Sequence, residues 1–273
     1  MSFETIEYEV RDDGVALLTL NRPRQRNPLS VRMREELASL LPRIGHDAAV
    51  KALVVTGAGD NFCGGGDISG MRKPFGPRTA ADGRDNIRDV QAWLPRFVGL
   101  EKPVIAAVDG VCYGAGFSLA LAADFVVCTP RARFCQAFVR VGLVPDFSAL
   151  FLLPRIVGLQ KAKELMLTGR VVDADEARAL HIVFEIHPPE RLLPAALAIA
   201  ARFRDAPTEA IGITKTLLNQ TFQSDERLMG ELEAFASATA KTLPYHQEAV
   251  GRFLAKEPTR FDWDRLAAGD DSH

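Results

Sequence analysis

Runs and recurrences of apolar residues divide the chain into elements. Ile6–Val10 and Val15–Leu20 are two β-rich runs separated by Arg11-Asp12-Asp13-Gly14. Asp-Gly between such runs predicts a hairpin, because the turn needs a positive φ that glycine adopts without a Cβ clash. After Ser30, apolar residues recur at Val31, Met33, Leu37, Leu40, Leu41 and Ile44. That spacing lines one face of a helix, and Ser30 is a suitable N-cap. Residues 51–56 read as a short buried strand leading into the glycine-rich loop GAGDNFCGGGD. A helix over 84–100, a strand at Val104–Val108, a loop at Asp109-Gly110, an apolar helix from about Ala115 and a strand at Phe125–Cys128 follow. Short apolar strands alternating with helices predict an α/β fold with helices covering the sheet.

Beyond about residue 148 the strand signal fades, apart from 182–186. Helical patterns fill 188–205, 208–222, 225–240 and 244–256. Composition shifts at Asp205-Ala206-Pro207, which divides a core, 1–205, from a helical region, 206–273. So few amphipathic helices cannot bury their apolar faces alone, so they are expected to pack on the core or on a neighbouring subunit. Residues 74–85 read as a mobile loop and the tail after Trp263 as frayed. There is no internal repeat.

Charge and composition narrow the classes. Thirty-three Lys+Arg against thirty-five Asp+Glu give a net charge of −2, which argues against a nucleic-acid binder driven by bulk charge. With 47% hydrophobic and 25% charged residues over 273 positions, the chain reads as globular, with a core large enough to need no staples. The four cysteines, Cys63, Cys112, Cys128 and Cys135, are not spaced as zinc ligands and are expected to be buried thiols. The first residues have neither the basic nor the apolar region of a signal peptide. The longest apolar stretch, 111–128, carries glycines near one end and Asp124 near the other, so it reads as a buried segment rather than a membrane span. A cytoplasmic protein with no membrane partner is the expectation.

Familiar motifs mostly fail. Gly57-Ala58-Gly59 begins a dinucleotide fingerprint, but Phe62 stands at its third glycine, and Leu119 does the same to Gly114-Ala115-Gly116. No P-loop is present. The stretch from Gly116 through Ser118 to Ala120 is one residue from a hydrolase elbow, yet the strand ends near Val108, so Ser118 falls inside a helix rather than at its mouth. Two glycine-rich turns remain, at 62–67 and 114–116, each read as following a strand and opening into a helix. Such turns can present backbone N–H groups to one point as an oxyanion hole, or can serve only to turn the chain tightly. The residues alone leave both open.

The chain resembles the crotonase superfamily, the enoyl-CoA hydratase/isomerase family. The likeness is carried by Leu20-Asn21-Arg22-Pro23 with Asn27-Pro28-Leu29, by Val54-Val55-Thr56-Gly57-Ala58-Gly59, and by 61–68, NFCGGGDI. It continues through 102–110, KPVIAAVDG, Gly114-Ala115-Gly116, Ala122-Ala123-Asp124, 141–146, VGLVPD, and Leu153-Pro154-Arg155. The resemblance implies a ClpP-like spiral of ββα units with a helical C-terminal region that builds trimers, often paired into hexamers. It implies that the Gly66 and Ala115 N–H groups hold the thioester oxygen of an acyl-CoA and that Gly64 meets the adenine. Arg22, Arg24 and Arg26 fall where basic residues approach CoA phosphates, and Phe253 and Lys256 where family members reach a neighbour's CoA. CoA would arrive as part of the substrate, with no metal or redox cofactor.

The departures carry more information. The family's hydratases use two glutamates, and Ser118 and Phe138 occupy those positions here. Asp146 falls where a subset carries its acid while lacking both glutamates. That subset includes 2-(1,2-epoxy-1,2-dihydrophenyl)acetyl-CoA isomerases and Δ3,Δ2-enoyl-CoA isomerases. Its small residues after the acid are replaced here by Phe147-Ser148-Ala149. The alternative role for Asp146 is an N-cap of the following helix. The resemblance thus implies an acyl-CoA isomerase with Asp146 as the single base, in apolar surroundings made by Phe138, Leu143, Val144 and Phe147. The alternatives are a hydratase with an unidentified second group and a non-catalytic acyl-CoA-binding homologue.

Overall fold

The computed structural model describes residues 3–67 and 80–267. The elements in chain order are β1 (Ile6–Val10), β2 (Val15–Leu20), α1 (Val31–His46), β3 (Ala52–Gly57), α2 (Ala80–Val98), β4 (Val104–Val108), β5 (Val111–Tyr113), α3 (Ala115–Leu121), β6 (Phe125–Cys128) and β7 (Arg133–Cys135). Then come α4 (Ala149–Val157), α5 (Leu159–Thr168), β8 (Val171–Asp173), α6 (Ala174–Ala179), β9 (Glu185–Ile186), α7 (Pro189–Ala201), α8 (Thr208–Leu218), α9 (Glu226–Thr242), α10 (Pro244–Ala255) and α11 (Trp263–Ala267).

Among the described residues one six-stranded sheet runs β1-β2-β3-β4-β6-β9 and a three-stranded sheet runs β5-β7-β8. The hairpin forms as its sequence predicts. β1 and β2 are antiparallel, with Ile6 opposite Leu20 and Val10 opposite Ala16, and Gly14 takes φ +79. β2, β3, β4 and β6 are mutually parallel, which needs crossovers. β3 and β4 read as unbroken apolar runs because both faces are covered. Leu53, Val55, Val104, Ala106 and Val108 join the core beneath α1, α2 and α3, and Val54, Ile105 and Ala107 meet Leu192, Ala196 and Ile199 of α7. Ser30 caps α1, its hydroxyl accepting from the Met33 N–H at 3.2 Å.

Several expectations shift. β5, β7 and β8 span three residues each, too few to show a period, and went unpredicted. β9 covers only the end of the expected 182–186 run. α2 starts at Ala80, so the part of the expected loop at 80–85 is helical, while 74–79 lies outside the described residues. The start of the tail expected to fray, 264–267, is helical with Trp263, which stacks on Phe125 at 6.0 Å and packs against Phe203 at 5.5 Å, while 268–273 lie outside the described residues. All four cysteines are buried and free. No helix among the described residues is long and apolar enough to cross a membrane.

Candidate active site

The first glycine turn runs alongside β5, which leads into the second. Cys63 bridges Cys112, with the Cys63 N–H donating to the Val111 carbonyl at 3.0 Å and the Tyr113 N–H to the Cys63 carbonyl at 3.0 Å. Two glycines let the backbones close. A Cβ on Gly116 would stand 2.4 Å from the Cys63 carbonyl oxygen. Gly65 has φ +105, and its Cβ would stand 2.9 Å from the Tyr113 oxygen and 3.8 Å from the Ala115 nitrogen. No side chain fits either place. Gly66, one residue on, faces open space, with nothing within 4 Å of a Cβ placed there. Ala115 is the first residue of α3, so its N–H has no intrahelical acceptor. Among the described residues neither the Gly66 nor the Ala115 N–H donates to a backbone carbonyl. Two adjacent backbone donors at a cavity wall can stabilise an oxyanion.

Asn27 steadies this wall from behind. Fully buried, it accepts from the Arg22 N–H at 2.8 Å and donates to the Ala58 and Asn61 carbonyls at 2.9 and 2.7 Å. The Gly64 N–H donates to the Arg26 carbonyl at 2.7 Å. The arginine-bearing loop is thereby tied to the loop that leaves β3.

A cavity of 540 Å³ opens in front. Gly64, Gly66, Ala115, Phe138 and Asp146 all line it, with Leu29, Arg34, Asp67, Ile87, Tyr113, Leu143 and Phe147. One Asp146 carboxylate oxygen, Oδ1, is buried without a hydrogen-bond partner. Burial pushes the Asp146 carboxyl up from 3.8 to about 6, against the opposing pull of the Arg34 guanidinium and of its own backbone N–H. The capping role is not taken up. α4 begins at Ala149 behind Ser148, which makes no side-chain cap bond, and Asp146 contributes only its carbonyl, accepting from the Ala149 N–H at 3.0 Å.

The two positions without glutamate are closed. Ser118 is fully buried, its hydroxyl donating to the Gly114 carbonyl at 3.2 Å, with the Asp146 carbonyl at 3.4 Å. The Phe138 ring lies 3.8 Å from where a Gly114 Cβ would be, filling space beside the hole. Asp67, the other carboxylate lining the cavity, is paired with Arg22 at 2.6 Å.

Other expected residues lie elsewhere. Val144 is 73% exposed and, unlike Leu143, does not line the cavity, because the chain turns it to the outer side of its loop. Arg24 and Arg26 are exposed and outside the lining, with the backbone of Arg26 against Gly64. Phe253, 76% exposed on α10, and Lys256 just after that helix are also absent from this chain's cavity. Arg34 and Tyr113 were missed. Arg34 sits one residue after a core position on a charged helix, and Tyr113 in an apolar run; neither pattern signals a cavity.

The comparisons fit this geometry. The profile of the family Enoyl-CoA hydratase/isomerase matches residues 10–264. The chain is 34% identical over 252 residues to the 1,2-epoxyphenylacetyl-CoA isomerase of Escherichia coli K12, covering 92% of this chain and 95% of that protein. It is 33% identical to the crotonyl-CoA hydratase of Syntrophomonas wolfei, over 96% of this chain and 99% of that one. Among solved structures, an enoyl-CoA hydratase/isomerase from Cupriavidus metallidurans CH34 superposes with a TM-score of 0.90 at 39% identity, covering 96% of this chain and 97% of the other. The chain belongs to the enoyl-CoA hydratase/isomerase family and has the crotonase fold, a family acting on acyl-CoA thioesters.

Proposed function

We propose that the protein is an acyl-CoA isomerase that moves a double bond by a one-base proton shift. The thioester oxygen sits between the Gly66 and Ala115 N–H groups. The ionised Asp146 carboxylate takes a proton from one carbon, and the C–H electron pair moves through the chain to the thioester oxygen as an enolate. The protonated Asp146 then returns the proton to a different carbon, and the electrons close the shifted double bond. No net oxidation or reduction occurs, so the step asks for no redox group, and CoA comes with the substrate. The observation that carries the reading is the unpartnered Asp146 Oδ1 in the cavity that holds both donors, with Ser118 and Phe138 at the hydratase positions.

Hydration is the second reading, favoured by Asp67 in the same cavity, although Arg22 engages it. The purified protein is expected to isomerise a 3-enoyl-CoA faster than it hydrates crotonyl-CoA. Asp146→Asn should lower isomerisation by about 10²–10⁴-fold, as loss of a general base does, while acyl-CoA affinity changes little. Full isomerase activity in Asp146→Asn would remove Asp146 from the mechanism. Tight acyl-CoA binding by an inactive parent protein would favour a non-catalytic homologue.

We propose further that it works as a cytoplasmic trimer or pair of trimers. α9 and α10 contribute no buried residue, and Phe235, Phe253 and Leu254 are 71%, 76% and 75% exposed. Light scattering at micromolar concentration should give three or six chains; a monomer would overturn the assembly.

A further inference from the structure

Two consecutive non-glycine residues after Asp146 lie in the left-handed region, Phe147 at φ 51 and Ser148 at φ 58. A bulky side chain seldom holds that conformation unless its surroundings fix it. The preceding part of the segment has little side-chain packing to fix it, since Val141, Leu143 and Val144 are 65%, 46% and 73% exposed. At the turn itself Phe147 is the large buried side chain, 5% exposed, beside the small buried Ala149, and its ring meets the Trp93 ring edge-on, with centroids 6.3 Å apart and planes at 74°. Trp93 is itself 2% exposed and comes from α2, the helix that also sets Ile87 in the cavity wall.

We infer that Trp93 is a positioning residue for Asp146: set edge-on against Phe147, it holds the left-handed turn that aims the Asp146 carboxylate into the cavity. The inference rests on the reading of Asp146 as the base. Trp93 does not line the cavity, and its ring contact is with Phe147, through which it acts. Its indole N–H is buried without a hydrogen-bond partner, so the ring's shape, not a polar bond, does the holding. With the anchor gone, the turn relaxes and the carboxylate moves toward water. Arg32 and Arg34 of α1, Asp67 and the Tyr113 phenol share the cavity with Asp146, and a relaxed turn alters its distance from each.

The experiment compares Trp93→Leu, Trp93→Phe and Phe147→Leu in the full-length protein, each checked for a cooperative melt. Two readouts are taken: steady-state isomerisation of a 3-enoyl-CoA, and infrared titration of the Asp146 carboxyl band, assigned by its loss in Asp146→Asn. Trp93→Leu and Phe147→Leu should each lower kcat between about 10- and 100-fold with KM little changed, as misplacement of a catalytic group does. Their carboxyl band should titrate at lower pH than in the parent, which burial holds near 6. Trp93→Phe keeps an aromatic edge and should restore both readouts. A band that titrates unchanged in the folded leucine variants, or a Trp93→Phe protein as impaired as Trp93→Leu, would overturn the inference. If Asp146→Asn stays active the catalytic reading fails, yet the band titration still decides whether Trp93 positions that carboxyl.

Discussion

The two walls of the cavity are built by opposite means. The hole wall is backbone held by core: Cys63, Cys112 and Phe117 are fully buried, Ala115 nearly so, and Gly65 and Gly116 close contacts that a single Cβ would break. The acid wall is a side chain on a largely exposed segment, from Gly142 to Ser148, that keeps an unfavourable conformation through Phe147. A rigid backbone hole can serve many thioesters, because every one presents the same carbonyl oxygen. On the proposed reading the acid decides which carbon gains or loses a proton, and Phe147 to Ala149 follow it directly in the chain. The proposed mechanism thus puts the general part of the chemistry in the core and the particular part in a loop.

The largest effects that test this contrast come from setting a hole-side variant against Asp146→Asn. Ala115→Pro removes one donor while leaving the helix able to form, since proline is tolerated at the first helical position. It should lower kcat by about 10²–10³-fold, the usual loss for one oxyanion donor. It should also lower hydration, should any occur, by the same factor, because both reactions use the same oxygen. Asp146→Asn should remove isomerisation selectively. Steady-state rates of the two variants on 3-enoyl- and 2-enoyl-CoA check this. Equal selectivity in both variants would mean that the walls are not separate in function.

The same contrast explains what could be read from the sequence. The hairpin and α1 carry patterns of several residues, and β4 and α3 are continuous apolar or small-residue runs, so all four emerge directly. β5, β7 and β8 do not, although β5 is the strand that brings the two glycine turns together. The turns therefore stood out as a pattern without showing that they converge; convergence depends on contacts such as Gly116 against Cys63, between residues far apart in the chain. By sequence Asp146 is open to capping as well as catalysis, and in the fold the cap position falls to Ser148, without a side-chain bond. Its catalytic reading came from the resemblance, not from a local pattern. Arg34 and Trp93 were illegible, because a charged residue on an amphipathic helix and an aromatic in an apolar helix are what any such helix contains. Only the tertiary structure puts one beside the acid's cavity and the other against its anchor.

The smallest test concerns pH and separates the walls once more. Asp146 must be ionised to accept a proton, and its carboxyl stands at about 6, raised chiefly by burial. kcat should therefore fall about tenfold per pH unit below about 6 and level off above it. Arg34 pulls this carboxyl downward, so Arg34→Met should move the midpoint to higher pH with a smaller effect on the plateau. Ala115→Pro removes no titrating group, so its loss should be the same at every pH. Stability follows with the opposite sign from an ordinary carboxylate. The folded state holds the Asp146 proton to about 6 and the unfolded chain only to about 3.8, so the stabilisation is full below 3.8 and is lost as pH rises through 6. The shift corresponds to about 3 kcal/mol, and solvent screening at this partly open site reduces it to about 1–2 kcal/mol. Asp146→Asn should thus be more stable than the parent by about that amount at pH 7 and no more stable at pH 4. Denaturant melts at the two pH values check it. A parent that gains stability between them relative to Asp146→Asn would mean that the carboxylate is stabilised in the fold, leaving it poorly placed to act as a base.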